Sequence, residues 1–232
     1  MNHATALARS FRLALAAAAL TLLAACSALR PTPVPPPAFF ALDAASAATA
    51  AALRDASTGP AAAPTLVVNP PQAGAGFDSQ RIIYVRQAHQ LEYFAHSEWV
   101  DTPARMLAPL IVSALDRAGT FRAVVATPTA ATADLRLDTE VVRLQHEFGG
   151  APSRVRLTLR ATLTDNATRQ VLAQVDLDNR ADAASEDAYG GVVAANHATR
   201  VMLQTLAVFC SQVAEQWQAR DSNAAKRAVG RL

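Results

Sequence analysis

From Arg154 to Leu163 apolar and polar residues alternate without a break: Val155, Leu157, Leu159, Ala161 and Leu163 are separated by Arg156, Thr158, Arg160 and Thr162. Successive side chains of an extended chain point to opposite faces, so this segment is a strand with one buried and one solvated face. Sheets wetted on one side only are antiparallel, and the flanking residues offer partners. Asp134 to Phe148 alternates on odd numbers through Val141, then on even numbers from Val142 through Leu144, His146 and Phe148. That change of parity predicts a bulge at Val141 and Val142. Asp165-Asn166-Ala167-Thr168 reads as a hairpin turn into a further strand, Gln170 to Leu177.

Two helices complete the pattern. Thr102 caps the first and Pro103 takes its first position; Leu107, Leu110, Ile111, Ala114 and Leu115 recur at helical spacing, and Gly119 ends it. Pro109 lies inside this run, where its missing donor predicts a kink or a delayed start. The second helix spans about Tyr189 to Arg220, with Thr199, Leu203, Leu206, Cys210, Val213 and Trp217 forming one apolar seam. Shorter strands are expected at Phe39 to Leu42, Thr65 to Asn69, Arg81 to Arg86, Gln90 to Ala95 and Phe121 to Val125, with a Gly-containing loop from Gln72 to Ser79. Strands and helices out of strict alternation make an α+β fold, a mostly antiparallel sheet with two main helices packed on it.

The N-terminus has a different purpose. Arg9 and Arg12 precede an apolar run that ends in Leu23-Ala24-Ala25-Cys26. A basic start, a short apolar core and small residues before the cut describe a secretory signal. The run from Leu13 to Ala25 falls short of the roughly 20 residues needed to span a bilayer, so an uncleaved anchor is the weaker alternative. The last four residues are similar to a lipobox, which makes Cys26 the lipid attachment residue. Ser27 after it is the residue usual in lipoproteins sorted to the outer membrane. Arg30 to Pro37 is a proline-rich spacer, and Ala44 to Ala63 is alanine-rich and low in complexity. The expected organisation is a signal peptide over 1–25, lipidated cysteine and linker over 26–63, one periplasmic domain over 64–220, and a basic tail over 221–232. Loss of Arg9 and Arg12 with the signal takes the 21 basic residues to 19, equal to the acidic count. A neutral chain has no global field for nucleic acid. With Cys26 acylated, Cys210 has no partner in the chain and reads as a small buried hydrophobe.

Motifs for chemistry are missing. His89, His96, His146 and His197 have no helical zinc spacing, and Ser113 and Ser211 lie in helical patterns away from any nucleophile elbow. Asp134 and Asp138 share a strand face, where a solvated edge explains them better than acid–base work. The expectation is no enzyme, no metal and no cofactor beyond the covalent lipid. Aromatic residues are the stronger lead: Tyr84, Tyr93, Phe94 and Trp99 crowd one stretch of a chain poor in them. Ile82 and Tyr84 point opposite to Ile83 and Val85, so both faces of that strand are apolar. Either the strand is central and covered on both sides, or one face meets a partner, another copy of the chain or lipid.

These residues carry a family resemblance. A lipobox is followed by Phe39-Phe40-Ala41-Leu42-Asp43, then by Thr65-Leu66-Val67-Val68 and by Gly76-Phe77-Asp78-Ser79-Gln80-Arg81-Ile82-Ile83-Tyr84. The densest piece is Tyr93 to Ala104, with its aromatic run into Trp99-Val100-Asp101-Thr102-Pro103. In this order the pieces resemble the ABC-type transport auxiliary lipoproteins, which accompany MCE-domain lipid transport systems between Gram-negative membranes. The insert at Ala44 to Ala63 and Pro109 depart from the usual pattern. The resemblance implies a non-enzymatic lipoprotein of the outer membrane facing the periplasm, whose partners are an MCE-domain protein and, through it, an ABC permease and ATPase. It implies lipids or other apolar molecules as the substrates moved. An envelope-assembly lipoprotein, such as a peptidoglycan synthase activator, would share the anchor, linker and α+β domain.

Overall fold

A computed structural model describes residues 36–43, 60 and 62–229, and side chains as far as Asn223. The signal segment, Cys26, most of the proline-rich spacer and the alanine-rich stretch 44–59 lie outside the described residues. The elements run β1 (Ala38–Phe40), β2 (Thr65–Val68), β3 (Gln72–Ala73), β4 (Arg81–Val85), β5 (Glu92–Trp99), α1 (Pro103–Arg117), β6 (Ala123–Ala126), β7 (Leu135–Glu147), β8 (Arg154–Asp165), β9 (Val171–Asp182) and α2 (Ala188–Val229). The fold is α+β, with one nine-stranded sheet.

β7 is the spine of the sheet. On one edge it pairs antiparallel with β8 along its whole length, from Leu135 opposite Asp165 to Glu147 opposite Arg154, and β9 continues the meander antiparallel to β8. Its 13 residues span roughly 43 Å at about 3.3 Å each, longer than any strand available for the other edge. Three short strands therefore share that edge in succession, all parallel to it: β2 beside Leu135–Leu137, β3 beside Glu140–Val141, and β4 beside His146–Glu147. β6 extends the first wing parallel to β2. The second wing is β4–β5 antiparallel, with β1 parallel to β5 at the margin.

The bulge sits where the parity change placed it, with register shifting between Val141 and Arg143. Before it Leu135, Leu137 and Val141 are fully buried, and after it Leu144 and His146 take over the inward face. Gly74 lies against the bulge: its N–H donates to the Val141 carbonyl at 2.9 Å, and a Cβ there would meet the Val142 carbonyl oxygen at 3.1 Å. The hairpin turn also forms as read, with the Asp165 carboxylate accepting the N–H groups of Ala167 and Thr168.

On β8 the alternation resolves into two faces. Val155, Leu157, Leu159, Ala161 and Leu163 are buried beneath α2, which packs across β8 and β9. The other face carries arginine–aspartate pairs between strands, including Arg160 to Asp176 and Arg156 to Asp178, each through two nitrogens. α2 buries its seam at Thr199, Leu203, Leu206 and Cys210, and its early turns approach the sheet through Ala194, Ala195 and Ala198. α1 packs beside it and buries Leu107, Ile111 and Leu115.

Four expectations need correction. The compact unit begins at Pro37, not Pro64, because β1 adds to β5 and Leu42 is buried against Met106 of α1. The expected loop at Gln72 contains β3, a strand of two residues that no periodicity could reveal. α1 starts at Pro103 and continues through Pro109, so the proline does not delay its start; the ring lies on the exposed side, where water can bond the carbonyl it leaves free. α2 continues to Val229, so most of the expected basic tail is helical.

Candidate functional site

The aromatic segment is split between the two faces of the second wing. Trp99 is in the core at 3% exposure, so it has no surface to offer a partner. Ile82 and Ile83 are both buried, which makes β4 a covered strand at its centre. At its far end Tyr84 and Phe94 are half-buried. Tyr84 pairs across to His146 on β7 and to Glu92 on β5, so these side chains share a face. The rings of Tyr84 and Phe94 are 4.7 Å apart, Tyr84 and Phe148 meet edge-on at 5.7 Å, and His146 stacks 4.2 Å from Phe148. Tyr93 belongs to the opposite face, 40% exposed, with the Arg81 guanidinium 4.9 Å from its ring centroid.

A charged rim surrounds the cluster. The Tyr84 hydroxyl donates to a Glu92 carboxylate oxygen at 2.9 Å, and the Arg86 guanidinium lies over the Tyr84 ring, 3.9 Å from the same carboxylate. The bond to Glu92 holds the phenol proton and raises the Tyr84 pKa; partial burial and the negative charge add to this, and Arg86 opposes it. Half-buried rings edged by a cation and an anion are suited to a contact that is apolar at its centre and polar around it.

His146 was missed as a site residue, although its inward position could be read from the even-numbered alternation after the bulge. It is 2% exposed, and its Nε2 lies 2.8 Å from the Ser153 hydroxyl. Nδ1 has no hydrogen-bond partner and faces Gly191 in the first turn of α2, where a Cβ would lie 2.6 Å away. A neutral ring donating from Nε2 to Ser153 leaves only a bare acceptor against the glycine, which is cheaper than a buried unpaired donor. Burial lowers the His146 pKa, against the raising effect of the Asp187 and Glu186 carboxylates. Asp187 is itself held below the usual carboxylate range by the Gly190 N–H at 2.7 Å and the Ser185 hydroxyl at 2.8 Å. The Ser153–His146 distance would suit a nucleophile and its base. Ser153, however, is 1% exposed, so no substrate atom can reach the pair.

The remaining candidates separate. His89 and His96 are exposed, and among the described residues no group of three His, Cys, Asp or Glu side chains converges as a metal site. Asp134 and Asp138 tie β7 to its neighbours, accepting from the Thr65 N–H and the Asn69 amide. Cys210 is buried and free.

Residues 42–208, from just after β1 to the middle of α2, match the family of the ABC-type transport auxiliary lipoprotein component. The chain belongs to that family. The match takes in the spine strand, both wings except β1, and the N-terminal half of α2, so it covers the aromatic cluster as well as most of the fold. No curated protein sequence matches the chain. Among solved structures it is similar to protein XCC0632 from Xanthomonas campestris, at 21% identity over 70% of this chain and 93% of that one, with a TM-score of 0.62. It is also similar to an uncharacterised protein at 12% identity over 63% and 91%, with a TM-score of 0.54. At these identities the likeness is one of fold. No helix among the described residues of this transport auxiliary lipoprotein is long and apolar enough to cross a membrane.

Proposed function

We propose that this transport auxiliary lipoprotein is a non-enzymatic component of an ABC system built on an MCE-domain protein, held in the outer membrane by lipid on Cys26 and facing the periplasm. In this role it helps lipids or other apolar molecules pass between the inner and outer membranes. It works without metal, nucleotide or other cofactor, and the exposed parts of the segment Ile82 to Trp99 contribute to its contact with the partner. The observation that carries the reading is the family match over residues 42–208, from β2 through the first helix to the middle of α2. It is supported by the Leu23-Ala24-Ala25-Cys26-Ser27 sequence and by the aromatic cluster of Tyr84, Phe94 and Phe148 with its Arg86–Glu92 rim.

Affinity capture of the full-length protein from detergent-solubilised membranes tests it. An MCE-domain protein should be recovered together with a permease and an ATPase. Recovery of a cell-wall synthase in their place would replace the proposal with an envelope-assembly role. Labelled palmitate should enter the parent and not Cys26→Ala, which should accumulate as precursor or as a soluble periplasmic form.

A further inference from the structure

We propose that the β1 margin of the sheet is the face this domain lays against a phospholipid surface. The inference rests on the lipid anchor at Cys26 proposed above. The chain from Cys26 joins the fold directly at Pro37 and β1. That length of chain spans at most about 40 Å even when fully extended, so β1 is the part of the domain with the shortest tether to the membrane. The end of α2, 42 residues from its start beside β1, is roughly 60 Å further along the helix.

Exposed apolar side chains flank the β1 edge on both faces of the sheet, since Phe39 and Phe40 point to opposite sides of β1. Phe39 is 59% exposed on β1 itself, and Val100, whose N–H donates to the Phe40 carbonyl at 2.8 Å, is 51% exposed beside it. On the other side of β1 the Tyr189 ring lies 6.4 Å from that of Phe40 and is 64% exposed. Val193, one turn further along the helix, is 45% exposed. The margin is held in shape by Asn196 of α2, which donates to the Ala41 carbonyl and accepts the Asp43 N–H at 2.6 Å. Neither Phe39 nor Tyr189 is buried, so most of each ring is open to its surroundings. Aromatic rings favour the boundary between headgroups and acyl chains, where an apolar body and a polar edge are both satisfied. The anchor raises the local concentration of lipid at this margin, so a modest patch is enough to orient the domain.

The test uses the mature lipidated protein in phosphatidylcholine vesicles whose acyl chains carry bromine, a quencher of tryptophan. Phe39→Trp, Tyr189→Trp and Val208→Trp are compared with the parent, whose Trp99 and Trp217 supply the background. Val208 is exposed on α2 well beyond the margin. Emission gained at positions 39 and 189 should be lost in brominated vesicles and kept in unbrominated ones, while emission gained at 208 survives in both. Melting equal to that of the parent checks that the exposed substitutions leave the fold intact. If the protein floats with the vesicles and neither margin tryptophan is quenched, the margin faces another copy or a protein partner; this proposal is then wrong and the anchor stands. Equal quenching at all three positions would also overturn it, because the domain would have no preferred face. A mature chain that carries no lipid and does not float removes the anchor, and this inference with it.

Discussion

Gly191→Ala probes the closest approach between α2 and the sheet. The added methyl carbon would lie 2.6 Å from His146 Nδ1 and 3.3 Å from Cε1 and Cγ, well inside contact distance. Neither side can yield easily. The imidazole is held by Ser153 at 2.8 Å and stacked on Phe148, while the helix start is fixed by Asp187, which accepts the Gly190 N–H on its carboxylate and the Gly191 N–H on its carbonyl. Overpacking of this kind costs about 1–3 kcal/mol. Replacing a helical glycine by alanine returns about 1 kcal/mol through lower backbone entropy in the unfolded chain. The clash should win, leaving the variant less stable by up to about 2 kcal/mol, a fall of up to roughly 8 °C in Tm for a domain of this size. Urea unfolding of Pro37–Leu232, followed by far-ultraviolet circular dichroism, measures it. Adding His146→Ala removes the ring the methyl strikes, so the Gly191→Ala penalty should shrink or reverse in that background, with a coupling of about 1 kcal/mol or more. Gly191→Ala more stable than the parent, with strictly additive double-variant energies, would refute the claim that α2 presses on His146.

Three further outcomes are expected. Because burial lowers the His146 pKa, the unfolded chain takes up a proton before the folded one. Stability should therefore fall as pH drops below about 6.5, the ordinary histidine value; melting followed from about pH 7.5 to 5 should show this slope, and His146→Gln should flatten it. Trp99→Ala should cost about 3–5 kcal/mol, whereas Tyr93→Ala should change unfolding by no more than about 0.5 kcal/mol and weaken capture of the proposed MCE-domain partner. Burial pushes the Cys210 thiol up to about 12, so iodoacetamide at mildly alkaline pH should label this cysteine only after unfolding by urea.

The meander was legible because its information is local. Each residue from Leu135 to Leu177 is assigned a face by its immediate neighbours, and the carboxylate of Asp165 closes the turn onto N–H groups two and three residues away. For the same reason the bulge, both helices and the buried state of Cys210 followed from spacing alone. The aromatic segment was visible as composition, but whether each ring packs inward or faces out depends on which strands lie on either side. That depends on the other edge of β7, where β2, β3 and β4 follow one another as parallel partners. Those strands have two to five residues, too few to establish a period, and they exist because the spine offers unpaired backbone groups that must be bonded. β1 became part of the domain in the same way, by adding to β5 across a long stretch of intervening sequence. His146 shows the limit most clearly: its inward direction was determined by strand parity, but its unpartnered nitrogen came from a glycine on a distant helix. Direction along a strand is a property of the local backbone, whereas contact partners are selected only when the whole chain has packed.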